Sequence, residues 1–310
     1  MATELSLKKP WLIAVWPGMG HVALSAGYYL LAKLGMQLVA EFSPRELFEV
    51  EHVEVKEGLI RMGRLPRSRF FVWRNPQATH DVVVFLGEAQ PPSGKHAFCQ
   101  KLIDFARKLE IERVFTFAAM ATQMHPERES RVFGAATDEQ GIAELKALGL
   151  EILQGGHIGG LNGVLLGVAA ENGLRGTCLL GEMPHIFAQL PFPKAALAVL
   201  EAFSKIADIT VDLTELSEQV KAVEEQLGEL LGQLEAAMGR TAAPEEESYA
   251  AEPAEEEEAL SRTDQQRIEQ LFRQATEDRS KAYELKRELD RLNVFKEFED
   301  RFLDLFKKPQ

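Results

Sequence analysis

The sequence is poor in the residues and motifs that mark common catalytic and cofactor sites. Only two of its 310 residues are cysteines, Cys99 and Cys178, and neither belongs to a CxxC pair. A cysteine-based metal or redox site is therefore not expected, and a reducing cytoplasm fits this usage. The absence of GxxxxGK[ST] excludes a P-loop nucleotide hydrolase. The absence of GxSxG disfavours covalent hydrolase chemistry.

Positive charge and long apolar runs are also scarce. The chain has 35 lysines and arginines against 48 aspartates and glutamates, a formal net charge of −13. Nucleic-acid binders usually carry a basic patch, so no nucleic-acid partner is expected. No apolar run reaches the roughly 18 residues of a membrane span, and the first ten residues lack the apolar core of a signal peptide. We therefore expect a cytoplasmic protein with no membrane partner.

Short apolar runs alternate with helical patterns through the first two thirds of the chain. Runs such as Trp11–Trp16 and Asp81–Leu86 are typical of strands buried on both faces of a parallel sheet. The alternation predicts an α/β fold, specifically a three-layer α/β/α domain over residues 1–210. Between Phe48 and Asn75, polar and apolar residues alternate, which predicts half-exposed antiparallel strands beside the main sheet.

A glycine-rich stretch, 154–163, separates a short apolar run from an apolar helical pattern. A strand, a glycine turn and a helix in this order place backbone N–H groups at a helix N-terminus, where they can bind an anion or a polar ligand. Alternatively, the glycines only let a strand and a helix turn sharply and pack closely. The sequence leaves both interpretations open.

Ligands bind at the carboxyl ends of parallel strands, and four segments are predicted to meet there. The candidate residues for binding a ligand or a partner are Gly18, Gly20, His21, Glu88, Gln90, Gly159, Gly160, Asn162, Gly163 and Glu182. Glu88 and Glu182 each follow a glycine at a strand end and could act as a base or hold a ribose. They could equally cap helices or bind loop N–H groups.

Neither a dinucleotide nor a metal is expected at these strand ends. The first turn, Gly18-Met19-Gly20, lacks the third glycine and the acidic residue of a dinucleotide fingerprint. His21, His157 and His185 also fall at strand ends, but no HxH or HxxxH spacing supports a metal site. We expect no catalytic residue and no cofactor.

The last third of the chain has a different pattern. Apolar residues from Leu213 to Ala237 recur at alternating spacings of three and four, which predicts a heptad helix over 211–240. The acidic segment 241–260 is predicted to be a disordered linker, and residues 261–310 are predicted to form a C-terminal helix. These helices predict a coiled-coil-like extension, paired either within one chain or between subunits.

Several short motifs together resemble the family related to proteasome assembly chaperone 2. They are Trp16-Pro17-Gly18-Met19-Gly20, Gly87-Glu88-Ala89-Gln90-Pro91, Gly159-Gly160-Leu161-Asn162-Gly163-Val164-Leu165 and Leu180-Gly181-Glu182. The resemblance spans about residues 10 to 207. It implies a phosphorylase-like three-layer fold, self-assembly into homo-oligomers, and a proteasome-type or other protein complex as partner.

Some chaperone relatives end in a hydrophobic-Tyr-any tripeptide that docks on the proteasome. This sequence ends Lys308-Pro309-Gln310 and departs from that pattern. The sequence favours a non-enzymatic assembly or scaffold protein. The alternative is a nucleoside-phosphorylase-like enzyme or small-molecule binder that uses Glu88 or Glu182.

Overall fold

The computed structural model describes residues 6–42, 47–48, 53–56, 58–77, 79–238 and 260–307. The side chains of 54, 56 and 229–238 are outside this description. The predicted acidic linker lies outside the described residues except for Leu260.

Among the residues that the structure describes, ten strands form one large sheet and one separate hairpin. They are β1 (Trp11–Val15), β2 (Gln37–Phe42), β3 (Val53–Lys56), β4 (Leu59–Met62), β5 (Ser68–Trp73), β6 (Val82–Gly87), β7 (Arg113–Thr122), β8 (Val132–Ala136), β9 (Glu151–Ile152) and β10 (Arg175–Pro184). The main sheet has the order β2-β5-β6-β1-β7-β10-β8-β9. Its central strands β6, β1, β7 and β10 are parallel, and β5 and β8 run antiparallel to their neighbours on the central side.

Nine α-helices accompany these strands in the described part of the chain. They are α1 (Val22–Lys33), α2 (Lys95–Lys108), α3 (Glu139–Ala147), α4 (Gly160–Glu171), α5 (Pro193–Ala207), α6 (Thr214–Met238), α7 (Arg262–Glu277), α8 (Ala282–Arg291) and α9 (Phe295–Asp304). The sequence predicts the start of α3 through Asp138, whose carboxylate accepts a hydrogen bond of 2.7 Å from the N–H of Gly141.

The central strands are buried on both faces, as their continuous apolar runs predict. In β1, Ile13 and Val15 join the core beneath α1 and α5, whereas Leu12 and Ala14 join the core beneath α2 and α4. This alternation follows from the two-residue period of a strand. Helices on both faces give the expected three-layer α/β/α fold.

The two cysteines are structural. Both thiols are buried and free, and burial raises the pKa of each to about 12. A thiol with so high a pKa stays protonated at neutral pH, and the thiolate is the reactive form.

The heptad pattern forms the single helix α6, which packs on the body of its own chain. Leu216, Val220 and Leu227 are buried, and α6 contacts α5. The hydroxyl of Tyr283 in α8 donates a hydrogen bond to Gln219 of α6. The C-terminal extension is thus helical, as expected, but the described part of α6 packs chiefly against α5 rather than as a coiled coil with the C-terminal segment.

The sequence predicts one C-terminal helix from residue 261, and the structure divides this segment into α7, α8 and α9. The chain leaves helical geometry at Asp278, whose backbone is extended, and at Asn293, which has φ +56°. Both residues favour turns and helix ends because their short polar side chains bond local backbone groups. The breaks let apolar residues from all three helices join the core around α1.

Candidate functional site

The carboxyl ends of β1, β6, β7 and β10 lie at one end of the sheet, as predicted. Their parallel registers carry the chain directly into the turns after Val15, Gly87 and Pro184. The segments around Gly18, Glu88 and Glu182 therefore lie at the same end of the molecule. The glycine-rich stretch follows β9, which runs antiparallel to the central strands, and its end at Leu161 reaches the same place beside Gln90. The candidate side chains at this end of the sheet nevertheless form separate groups.

Gln90 joins the first glycine turn to the glycine-rich stretch. Its side-chain Nε2 donates a hydrogen bond of 3.1 Å to the carbonyl oxygen of Pro17. Its Oε1 accepts one of 3.0 Å from the N–H of Leu161, in the first turn of α4. The protein itself therefore supplies an acceptor at this helix N-terminus, at a position where an anion could otherwise bind.

The glycines around α4 differ in how tightly they are packed. Gly160 has φ +65°, and a Cβ there would lie 2.8 Å from Oε1 of Gln90. A Cβ on Gly163 would lie 1.9 Å from the carbonyl oxygen of Ile158, whereas one on Gly159 would meet nothing within 4 Å. Close packing therefore explains Gly160 and Gly163, and Gly159 has free space around it.

Asn162 lies between these glycines and also serves the fold. Its backbone carbonyl accepts a hydrogen bond of 3.3 Å from Oγ1 of Thr116 in β7. Its side-chain Oδ1 is buried and has no hydrogen-bond partner among the described residues. The backbone contact ties the start of α4 to the central sheet.

An open cleft of about 450 Å³ lies beside the glycine-rich stretch. Its lining includes Ala136, Thr137, His157, Gly163 and Leu166. Small-molecule sites usually combine an apolar pocket with several convergent polar groups. Few of the lining side chains are polar, and the cleft contains neither Glu88 nor Glu182.

Gly20 and His21 both have left-handed backbones at the end of β1. Gly20 has φ +60°, and a Cβ there would lie 2.7 Å from Sδ of Met183. Its N–H donates to the carbonyl oxygen of Ala188, and its carbonyl accepts from the N–H of Phe192. His21 has φ +51°, and partial burial together with the nearby ammonium of Lys286 lowers its pKa. The hydrogen bonds of Gly20 therefore hold the turn after β1 against the segment that follows β10.

Glu88 is buried and fully engaged in ion pairs. Its carboxylate accepts hydrogen bonds of 2.6 Å from Arg64, 2.7 Å from Arg69 and 3.0 Å from the N–H of Arg67. The fully buried guanidinium of Arg69 also pairs with Asp300 in α9. Glu88 thus anchors β5 and, through Arg69, the C-terminal helix.

Glu182, near the end of β10, is likewise bound by an arginine. Arg131 donates two hydrogen bonds of 2.8 Å to its two carboxylate oxygens, and the hydroxyl of Thr122 adds a third of 2.8 Å. The hydrogen bonds from Arg131 lower the pKa of Glu182 despite its burial. A carboxylate with a lowered pKa is a poor general base at neutral pH.

The two acids lie on opposite faces of the sheet. Strand alternation directs Glu88 to the face of α1 and α5, and Glu182 to the face of α2 and α4. Their strands, β6 and β10, are separated by β1 and β7, so the backbones are roughly 14 Å apart at ordinary strand spacing. The two carboxylates cannot act together on one small substrate.

Sequence reasoning missed the ionic partners of these acids. A signal was present at Arg69, which stands beside Phe70 and Phe71 in a buried strand. An arginine in such a strand needs a buried counter-charge, because fully buried arginines are almost always paired. The sequence could not show that Asp300, 231 positions away, supplies part of that charge.

Neither a metal cluster nor a membrane span is found in the described part of the chain. No three side chains of His, Cys, Asp or Glu there are placed to hold a metal ion together. Of the helices that the structure describes, none combines the length and the apolar character that spanning a membrane requires.

Both the sequence and the fold of this chain are similar to those of known proteins. A model of the PAC2 family matches residues 12–231, which is more than half of the chain. The chain belongs to the PAC2 family. Helices α7–α9 lie beyond the matched region and extend this PAC2 protein on its C-terminal side.

The PAC2 assignment is supported by archaeal relatives. The uncharacterized protein MJ1210 of Methanocaldococcus jannaschii is 29% identical over 229 residues, which cover 71% of this chain and 82% of that protein. PbaB of Pyrococcus furiosus, an archaeal proteasome activator, is 27% identical, with a TM-score of 0.63 over 74% of this chain and 96% of PbaB.

PbaA of Pyrococcus furiosus is described as an archaeal homolog of proteasome-assembly chaperone. It is 27% identical to this chain, with a TM-score of 0.56 over 75% of this chain and 96% of PbaA. The similarity to these two proteasome-related proteins thus covers about three quarters of this chain.

Proposed function

We propose that this PAC2 protein is a non-enzymatic assembly or scaffold protein that acts through homo-oligomerisation and protein–protein contacts in the cytoplasm. The observation that carries the proposal is the pairing of both candidate acids. Glu88 and Glu182 are each bound by arginine, and they lie on opposite faces of the sheet. Neither is free to serve as a general acid or base, so protein contacts are the better supported use of this fold.

The client in this proposal is a proteasome-type or other multi-subunit complex. Support comes from PbaB, an archaeal proteasome activator, and from PbaA, a homolog of proteasome-assembly chaperone. Both are similar to this chain over nearly their whole length. Because one fold can serve different functions, the surface of this chain must also offer a place for a partner.

An apolar surface at the strand ends is suited to such a partner. Met19 is 46% exposed, Ile186 52% and Leu190 41%. The hydrogen bond from the N–H of Gly20 to the carbonyl of Ala188 holds their two turns side by side. Clustered exposed apolar side chains mark protein-binding sites more often than isolated ones do. We assign the candidate residues Gly18, Gly20, His21 and Gly159 to the partner-facing turns.

Affinity purification from the native host tests this assignment. The full chain and a Met19→Asp/Ile186→Asp double variant are each tagged, and co-purifying proteins are quantified by mass spectrometry. We expect the subunits of one multi-subunit complex to accompany the wild type and to fall at least tenfold with the double variant. Leu148→Asp is the control, because Leu148 is 39% exposed at the end of α3 and belongs to neither of these turns. Equal recovery with all three proteins contradicts the assignment.

A ligand screen tests the enzymatic alternative. A nucleoside, sugar or phosphate at 100 times its dissociation constant stabilises its binding protein by about 2.7 kcal/mol. We expect no shift in the thermal unfolding of the wild type with any of these compounds. A reproducible shift that Glu88→Gln or Glu182→Gln abolishes favours the enzyme.

A further inference from the structure

The chain between β2 and β5 leaves the main sheet and forms the hairpin β3–β4. Its register pairs Val53 with Met62 and Val55 with Ile60 across the two strands. Residues paired across an antiparallel ladder project to the same face, and so do residues two apart on one strand. These four apolar residues therefore make up one face of the hairpin, called here the hairpin face.

No described residue covers the hairpin face. Val53 is 49% exposed, Val55 64%, and Ile60 and Met62 73% each. Together they expose on the order of 400 Å² of apolar surface, comparable with the largest apolar patch on a typical monomer. A two-stranded hairpin alone is marginally stable in water and normally packs its apolar face against another element. This hairpin lies at the end of the sheet where β6 ends, since Ser68 at the start of β5 pairs with Gly87.

We infer that the hairpin face is covered by the hairpin face of a second copy of this chain, related by a two-fold axis. The face carries no charged residue, so it matches itself without placing like charges opposite each other. This matters because the chain has a net charge of −13 and two copies repel each other over charged surfaces. The inference deepens the proposed homo-oligomeric scaffold and rests on it.

The size of the face sets the strength of the contact. Two such faces together bury on the order of 800 Å², below the roughly 1,200–2,000 Å² of stable interfaces. The hairpin contact alone therefore gives a weak, reversible dimer rather than a permanent one. Self-association should depend on protein concentration rather than persist at all dilutions.

A charge placed on the hairpin face tests the contact. Ile60→Lys buries an ammonium at the two-fold interface, whereas Leu59→Lys changes its neighbour on the opposite face of the same strand. Leu59 is 59% exposed, so the two substitutions are matched in position and exposure. Sedimentation velocity of the full chain from about 1 to 100 µM should show dimer formation for the wild type and Leu59→Lys, and at least tenfold weaker dimerisation for Ile60→Lys.

Several results would overturn the inference. They are a wild type that stays monomeric throughout this range, Ile60→Lys that dimerises like the wild type, and Leu59→Lys that is weakened equally. Circular dichroism and thermal unfolding of each variant show whether the fold is retained. If Ile60→Lys unfolds, Ile60→Thr replaces it, because threonine retains the β-branched shape that strands favour while placing a hydroxyl in the contact.

Cross-linking tests the two-fold arrangement separately. The two natural cysteines are buried, so Ile60→Cys adds an accessible thiol to the hairpin face. A short bismaleimide should link Ile60→Cys chains into covalent dimers and leave Leu59→Cys chains mostly single. Equal yields for both variants contradict the assignment of the face. Because these experiments contain only this chain, their failure is distinguishable from failure of client binding, which the affinity purification measures.

Discussion

The hydroxyl of Tyr28 in α1 donates a 2.7 Å hydrogen bond to the carboxylate of Glu299 in α9, 271 residues further along the chain. Burial, followed by the charge of Glu299, raises the pKa of Tyr28 well above its usual value. The phenol therefore stays a hydrogen-bond donor across the accessible pH range. This contact fixes the C-terminal helix to the first helix of the body.

Removal of the Tyr28 hydroxyl should weaken this attachment. In Tyr28→Phe, the buried Glu299 keeps only Lys296, which lies 2.6 Å away, as its ionic partner. A lost hydrogen bond to a charged group costs about 1.5–3 kcal/mol of unfolding free energy. Tyr29→Phe is the control, because the Tyr29 hydroxyl donates to the neutral backbone oxygen of Asp212 and its loss costs about 1 kcal/mol. Urea unfolding at pH 7 measures both, and equal losses would contradict the role given to Glu299.

The glycines at the start of α4 should differ in their tolerance of a side chain. Gly163→Ala places a methyl 1.9 Å from a backbone oxygen, so something in the backbone must move. We expect a loss of about 3 kcal/mol or more for Gly163→Ala. We expect a loss of more than about 1 kcal/mol for Gly160→Val, which also strains a positive φ. Gly159→Ala has space and should change stability by less than about 0.5 kcal/mol. Thermal and urea unfolding rank the three variants, and a costly Gly159→Ala would disprove the packing explanation.

Neutralising Glu88 should destabilise the fold rather than affect a reaction. Glu88→Gln leaves the buried guanidinium of Arg69 with Asp300 and, 3.9 Å away, Glu41 as ionic partners. Breaking a buried ion pair from one side costs about 3–5 kcal/mol. Glu284→Gln is the control, because Glu284 is 42% exposed in its pair with Arg267, outside this cluster, and such pairs contribute about 0–1 kcal/mol. If the two variants unfold at the same urea concentration, the ionic cluster does not hold β5 and α9.

The contribution of Glu182 should depend on pH. Its folded-state pKa is lowered, chiefly by the hydrogen bonds from Arg131. The stability from this pair is therefore fully present above the unfolded pKa of about 4.3 and is lost as the pH falls through the lower folded value. The wild type should be more stable than Glu182→Gln at pH 7, and the difference should shrink below about pH 4. A difference that stays constant from pH 7 to pH 3 would mean that the carboxylate charge contributes nothing.

The strands and helices of the body could be predicted because their signals are local. Trp11–Val15 and Val82–Gly87 are continuous apolar runs, and Asp138 caps α3 within three residues. The convergence of the strand ends followed from the parallel order. The ionic partners could not be predicted because they come from distant positions. Arg131 binds Glu182 across 51 residues, and Asp300 binds Arg69, the partner of Glu88, across 231 residues. Charge pairs between distant elements leave no periodic signal in a sequence.

The C-terminal helices, too, could be predicted only where the signal in the sequence is local. Ile268, Leu271 and Ala275, and later Leu285 and Leu289, recur at helical spacing and are all buried, because burial follows helical period. The surface that the C-terminal helices cover could not be predicted, because it is formed by Tyr28 and Tyr29 near the other end of the chain. The hairpin face was missed for a different reason. Alternation predicted half-exposed strands, but it does not tell which face lacks a cover.

The contact between α1 and α9 also sets the order in which the protein can be completed during synthesis. Tyr28 leaves the ribosome 271 residues before Glu299. At a translation rate of about 5–20 residues per second, this interval lasts roughly 14–54 seconds. Throughout that time the body can form its sheet, but the tyrosines of α1 lack the helices that later bury them. Until α9 has been synthesised, the surface of α1 that it covers is open to contact with other apolar segments.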